Sequence, residues 1–502
     1  MRNPLQLVSL LLSLLTLLCL VAAPAAAQDL DNVTISGRVM DQNGAVIPGA
    51  TVTATLIKTK VERTVVADAE GRYKIIQLEP GVYSVKAAFT NFATEEKTDL
   101  TTVAGQNVQL DFTLKPAGVT AETVVVSLAN APQVDTTRTV VGGTITTQEV
   151  ESLPVATRSP LDLIFTLGGV SEEPLSTRDL AEDRTSARTT PEEAGNFSLS
   201  GGPAYSNNIT IDGLDNNDDR AARERFTPSL EAVEEVQIIR NQFAAEYGRA
   251  SGGRINLRTR GGSNKFHGRV YDFYRNEIFN ANTFNNKRLG LPRPPFEEHN
   301  PGFTFSGPIV LPFYNGRDRT HFFTAYEYDT ILDSTTIDTL VPVAQNPVFP
   351  LPPPTSTCPD PLCPFAELTS TPQRSQIFTT RVDHKFSDLH NGQVLVQIGR
   401  FKNLRQFGGG NRLAEALIGK TRNTDAISYS DNYVFSAKAV AQTRFQWSRL
   451  TPGVEASGTE TPVVLIDIGR SSPLTAGTST SGATDRLETR FQAQEIFSYV
   501  AG

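Results

Sequence analysis

The densest group of side chains able to do chemistry is Asp212, Asp215, Asn216, Asn217, Asp218 and Asp219, a run of the carboxylates and amides that calcium takes as oxygen ligands. The ordered ligand spacing of a known calcium loop is missing, so the run reads first as a solvated turn, and no metal is assigned to it. Cys358 and Cys363 lie in Cys358-Pro359-Asp360-Pro361-Leu362-Cys363. No histidine or further cysteine pair stands beside them to complete a metal site, so a disulfide closing a small surface loop is expected, with Pro359 and Pro361 restricting the ring. No histidine is followed three residues later by glutamate, and no zinc triad or activated nucleophile can be assembled from spacing. The chain is read as a non-enzyme without a cofactor.

The elements that position these residues follow from composition and periodicity. The chain has 502 residues, 39% of them hydrophobic, with 46 Lys+Arg against 54 Asp+Glu, enough for two to four ordinary domains. A net charge of -8 without a basic cluster argues against a nucleic-acid partner. Arg2, the apolar run Leu5 to Val21 and the small residues Ala25-Ala26-Ala27 have the order of an export signal, so residues 1–27 are expected to be removed and Cys19 with them. After Gln28 no apolar stretch reaches 18 residues, so any membrane span must be a β-strand.

From Thr34 to Lys115 short strands are punctuated by Asn43-Gly44, Pro48-Gly49, Glu70-Gly71 and Pro80-Gly81, the pattern of an antiparallel, immunoglobulin-like β-sandwich over residues 28–115. Ser36-Gly37-Arg38-Val39, Ile47-Pro48-Gly49-Ala50-Thr51-Val52, Asp68-Ala69-Glu70-Gly71-Arg72-Tyr73 and Leu78-Glu79-Pro80-Gly81-Val82-Tyr83 make this module resemble the carboxypeptidase-regulatory-like family, which implies a structural or docking role here. Residues 116–130 form a connector holding Glu122-Thr123-Val124-Val125-Val126-Ser127. That run is a last sandwich strand, a linker, or a segment that adds to another protein's sheet.

Residues 131–260 read as a small α+β domain, with short helices at Thr147–Leu153, Ser159–Phe165 and Pro228–Glu234 and strands at Asn208–Asp212, Val236–Arg240 and Arg254–Arg258. Leu153-Pro154 with Leu167-Gly168-Gly169-Val170, the stretch Asn208 to Asp219, Val233-Glu234-Glu235-Val236-Gln237, and Phe243 to Gly253 resemble the plug of TonB-dependent receptors. Residues 261–502 alternate with period two. Phe378, Thr380, Val382 and Phe386 interleave with Thr379, Arg381, Asp383 and Lys385, as the wall of an outer-membrane β-barrel would. Tyr271-Asp272-Phe273-Tyr274 and Phe322-Phe323 suit interfacial girdles. The fold class is therefore mainly β: a sandwich, an α+β plug, and the first part of an antiparallel transmembrane barrel.

The resemblance implies uptake of a scarce substrate across the outer membrane, gated by the plug and energised by TonB with the ExbB/ExbD inner-membrane complex. Only Glu122 to Ser127 has the position and valine-rich character of a TonB box. It also implies that Asn208, Asp212, Asp215, Asn216, Asn217 and Asp218 lie toward the substrate, whether small molecule, oligosaccharide or peptide. A plugged barrel has about 22 strands, and the residues after the plug suffice for roughly 8 to 12, so an incomplete barrel is expected. The rival reading is a surface adhesin or scaffold of β-modules.

Overall fold

The computed structural model describes residues 31–117, 123–127, 141–155, 158–172, 197–203, 206–219, 224–240, 248, 250–344, 350–406, 411–436, 438–456, 462–470, 472–479 and 484–499. The export signal, Glu122 and most of the Phe243–Gly253 phrase lie outside the described residues.

In the sandwich, alternation, most regular along Val33–Asp41 and Glu62–Val66, turns one side of the strands inward. Val33–Asp41 pairs antiparallel with Arg72–Leu78 and parallel with Asn107–Gln109 and Phe112–Leu114. The facing sheet runs in the order Glu62–Val66, Thr51–Leu56, Gly81–Ala88, Glu95–Thr102, Val124–Ser127. Val33, Ile35, Val39, Val52, Val85, Leu100 and Phe112 fill the space between the sheets. At Gly37 an added Cβ would lie 2.0 Å from the Leu110 carbonyl oxygen, so only glycine lets the two chain segments approach there.

The plug is a five-stranded mixed sheet ordered Val141–Ile145, Val233–Arg240, Gly253–Thr259, Asn207–Ile211, Leu214–Asp215. The helix Thr147–Ser152 and the 3-10 turn Pro160–Thr166 cover it, and Ile145, Leu163, Ile164, Ile209, Val236, Ile238, Ile255 and Leu257 form its core. The helix expected over Pro228–Glu234 is one turn, Leu230–Ala232, after which Val233 and Glu234 begin the strand. Pairing with Arg258 and Thr259 across the sheet overrides the local helical signal.

The C-terminal half is one nine-stranded antiparallel sheet running from His267–Asn276 to Glu488–Tyr499. Its burial is the reverse of a soluble protein's. Thr379, Arg381, Gln442, Arg444, Gln446 and Ser448 are buried against the plug, whereas Val270, Phe303, Phe305, Phe445, Phe491 and Phe497 are exposed. An apolar exterior around a polar interior is what a lipid-facing wall requires, and a soluble sandwich would invert it. Ser387–His390 and Ser436–Ala439 are tight turns at one end of the sheet, where Pro308 to Thr320 also holds the short hairpin of Val310–Leu311 with Tyr314–Asn315; the connections after Asn276, Leu332, Gln406 and Ala456 lie at the other end and are long. At the tight end His384, Phe386, His390, Tyr433, Phe435 and Phe497 form a ladder of ring contacts 4.5–6.1 Å apart, the aromatic belt of a membrane interface. Tyr271 and Phe323, grouped above with the girdles, instead point inward, because odd positions of these strands face the plug. Of the proline-rich stretch 341–364 only the two ends are in strands among the described residues: Ser334–Pro342 pairs with Leu362–Ser370 as a two-stranded ribbon, which tolerates Pro342 and Pro364 because each strand has a free edge.

Candidate functional site

Of the run Glu122-Thr123-Val124-Val125-Val126-Ser127, the described part is a strand at the edge of the sandwich. Val124–Ser127 pairs in parallel with Glu95–Thr98, starting with the Val124 amide on the Thr94 carbonyl at 2.9 Å. Thr123 and all four strand residues are exposed, with Val125 at 60%. In a parallel ladder successive amides alternate sides, so Val124 and Val126 point at the sandwich while Val125 and Ser127 point away. The strand therefore presents a hydrogen-bonding edge lined by β-branched side chains, a template for one more strand. Its pairing partner, Glu95–Thr102, is polar and escaped the periodicity reading.

The middle of the Asp/Asn run, Asn216 to Asp218, is buried rather than a solvated turn, while Asp219 stays exposed. Asn217 and Asp218 are 0% exposed and Asn216 5%. Asn217 Oδ1 accepts from the Ile209 amide at 2.8 Å and its Nδ2 donates to the Asn207 carbonyl at 2.8 Å, while Asn216 brackets Phe226 in the same way at 3.1 and 2.7 Å. Asp218 lies 3.2 Å from Arg422 and 3.1 Å from Arg486, both on the wall, and Arg490 spans Asp215 at 2.9 Å and Asp219 at 2.5 Å. These charges are there to bind the plug to the barrel. The partners lie more than 200 residues downstream, so no local reading could find them. Asn208 is buried in the plug sheet opposite Arg254. Asp212 sits at the other end of its strand, accepting from the Thr259 amide at 2.9 Å and hydroxyl at 2.6 Å, away from the Asp215–Asp219 group. Among the described residues no cluster of His, Cys, Asp or Glu could hold a metal ion.

A second lock joins plug and wall at Arg158, a residue no motif marked. Its guanidinium lies 2.5 Å from Glu231, 3.3 Å from Glu327 and 3.7 Å from the centroid of the Phe273 ring. The Tyr271 hydroxyl donates to Glu327 at 3.1 Å, which accounts for its inward position.

The sandwich is docked under the plug on the tight-turn side. Glu79 Oε1 is 2.7 Å from both Arg258 of the plug and Arg381 of the wall. Asp31 bridges Arg254 at 2.7 Å and Arg444 at 3.0 Å, and Lys58 meets Glu234 at 3.1 Å. Burial opposes ionisation of Asp31 and Glu234, but the arginines, with Lys58 at Glu234, outweigh it and hold both at about 2. Glu235 behaves oppositely. Burial pushes it up, Arg258 counters only in part, and Glu234 and Asp212 add repulsion, leaving it at about 7. Arg381, Asp383 and Arg444 lie on the inward side of the wall's alternation, which a polar barrel interior allows, and Arg381 and Arg444 carry this interface. On the far side of the wall, Cys358 and Cys363 are joined by a disulfide at the tip of the 334–370 ribbon, with Cα atoms 5.7 Å apart.

The carboxypeptidase regulatory-like domain family matches residues 34–115, and an outer membrane beta barrel domain family matches residues 258–348. The TonB-dependent transporter Oar of Myxococcus xanthus is 30% identical over 239 residues, covering 47% of this chain and 21% of the relative. The outer membrane transporter YddB of Escherichia coli superposes with a TM-score of 0.50 at 12% identity, covering 72% of this chain and 45% of YddB, and shares the fold. The chain thus spans about a fifth of the length of the first and under half of the second. The chain thus carries a carboxypeptidase regulatory-like domain and an outer membrane beta barrel domain in one polypeptide, is similar in sequence to a TonB-dependent transporter, and shares the fold of an outer membrane transporter.

Proposed function

We propose that this protein imports a scarce extracellular substrate across the outer membrane, that residues 131–260 gate the lumen as the plug, and that TonB, driven by ExbB/ExbD, supplies the energy through Val124–Ser127. The observation that carries this reading is the exposed edge strand directly ahead of the plug, with the Val125 backbone facing away from the sandwich at the end of the barrel that holds the aromatic belt and tight turns, which this reading assigns to the periplasm. A partner strand added there gains affinity from main-chain hydrogen bonds, with the valines supplying side-chain contacts. The apolar outer wall sits in outer-membrane lipid. The Arg158 and Asp218 locks keep the plug seated until a force is applied.

The test is binding of the soluble periplasmic domain of TonB to the membrane-inserted protein. Saturable binding that Val125→Pro abolishes and Val124→Ala leaves nearly unchanged supports the reading. Equal binding by wild type and Val125→Pro contradicts it.

A further inference from the structure

We propose that the N-terminal sandwich is a lid over the inner mouth of the barrel and that Glu79 is its latch, clasped at once by the plug and the wall. One guanidinium joins the units: Arg381 reaches Glu79 of the sandwich at 2.7 Å, the Thr259 carbonyl at the end of the plug at 3.0 Å, and Asp383 of its own strand at 2.7 Å. Around this point the contacts continue along the rim. The Ala104 carbonyl accepts from Gln237 of the plug at 2.8 Å, and Gln77 donates to Ser498 of the wall at 2.8 Å. Between sandwich, plug and wall these contacts leave a cavity of about 590 Å³ whose lining includes Lys58, Asp212, Arg258, His321, Arg381 and Ser430. A cavity with that many charges is a wet vestibule, so anything leaving the lumen on this side enters it and then meets the sandwich.

The interface is built to part. The contacts named above are ion pairs and hydrogen bonds, while the apolar residues of the sandwich close a separate core of their own. Polar interfaces between domains of one chain favour relative motion, whereas apolar ones fuse the domains. The sandwich would therefore undock as a unit without unfolding. The Val124–Ser127 strand belongs to the sandwich sheet, so a pull on it acts on the lid before it reaches the plug. That last step rests on the coupling reading above; the lid itself does not.

The experiment uses the full chain in outer membranes, with insertion checked by resistance to carbonate extraction. A short bis-maleimide should join Gln77→Cys to Ser498→Cys, and should not join Glu70→Cys, which lies beyond the opposite end of the Arg72–Leu78 strand, to Ser498→Cys. A charged methanethiosulfonate should label Ser430→Cys slowly in the latched protein and about tenfold or more faster in the Glu79→Gln background, where the Gln77–Ser498 cross-link should also fall. If Glu79→Gln prevents insertion, Lys58→Met removes the neighbouring clasp on Glu234 and carries the same expectation. Equal cross-linking of both pairs, or Ser430→Cys labelling that the latch variants leave unchanged in inserted protein, overturns the lid. Loss of TonB binding alone, with cross-linking intact, counts only against the coupling reading.

Discussion

Glu235 makes docking of the sandwich depend on pH, and the size of the effect follows from its surroundings. It is 5% exposed and accepts from the Ala104 amide at 3.3 Å, with Arg258, Glu234 and Asp212 as its charged neighbours. Burial, with Glu234 and Asp212, raises its carboxyl from 4.5 to about 7 against the opposing pull of Arg258. The raised value means that the docked state holds a proton which the solvated state has lost, so the contribution is complete below 4.5 and disappears as pH rises to about 7. At 1.36 kcal/mol per unit, the whole shift is worth about 3 kcal/mol, and the part between pH 5.5 and 7 about 2 kcal/mol, or roughly 30-fold in an opening equilibrium. Asp31 and Glu234, both held at about 2, stay ionised through this window and add no slope. The assay is hydrogen exchange of the Val103–Gln106 segment, corrected for intrinsic base catalysis, at pH 5.5 and 8. Protection should fall roughly 30-fold in wild type and stay nearly level in Glu235→Gln, whose amide oxygen can still accept from Ala104. Protection that rises with pH, or an equal fall in Glu235→Gln, refutes the reasoning.

Other expectations are as specific. Arg158→Met leaves Glu231 and Glu327 buried without their cation, and should destabilise the plug by about 3–5 kcal/mol, read as a lowered urea midpoint for protease resistance of residues 141–259. The two proline variants of the edge strand should separate: Val125→Pro removes a donor that faces a partner and should block TonB, whereas Val124→Pro removes the bond to Thr94 and should free the strand from the sandwich, seen as lost protection of Glu95–Thr98. Breaking the Cys358–Cys363 bond with Cys363→Ser should cost about 2 kcal/mol through the unfolded loop and loosen the 334–370 ribbon without affecting insertion, checked by limited proteolysis of whole cells. Gly37→Ala drives a methyl into the Leu110 carbonyl and should lower sandwich stability by about 1–3 kcal/mol, measured by thermal unfolding.

What could be read from the sequence was what depends on neighbours in the chain. Alternation along Val33–Asp41 and Gln373–Ser387 reports which side is wet, and the turn pairs at Asn43-Gly44 and Pro80-Gly81 mark where strands reverse. What escaped depends on partners far away. Asp215, Asp218 and Asp219 look like a hydrated loop until Arg422, Arg486 and Arg490 arrive from the wall. Glu95–Thr102 carries too many polar residues to read as a strand, and exists because Gly81–Ala88 on one side and Val124–Ser127 on the other supply its ladders. Tyr271 reads as a girdle residue by type, but the buried Glu327 gives its hydroxyl a partner on the inner side.

The central claim is that the Gln373–Ser387 and neighbouring strands cross the outer membrane with the sandwich on the inner side. A membrane-impermeant maleimide applied to cells tests it directly, using Asp467→Cys in the long connection after Ala456 and Asp388→Cys in the tight turn, each as the single free cysteine beside the native disulfide. The account predicts that Asp467→Cys is labelled in intact cells and Asp388→Cys only after the outer membrane is permeabilised. Labelling of Asp388→Cys in intact cells, or of neither site until permeabilisation, contradicts it.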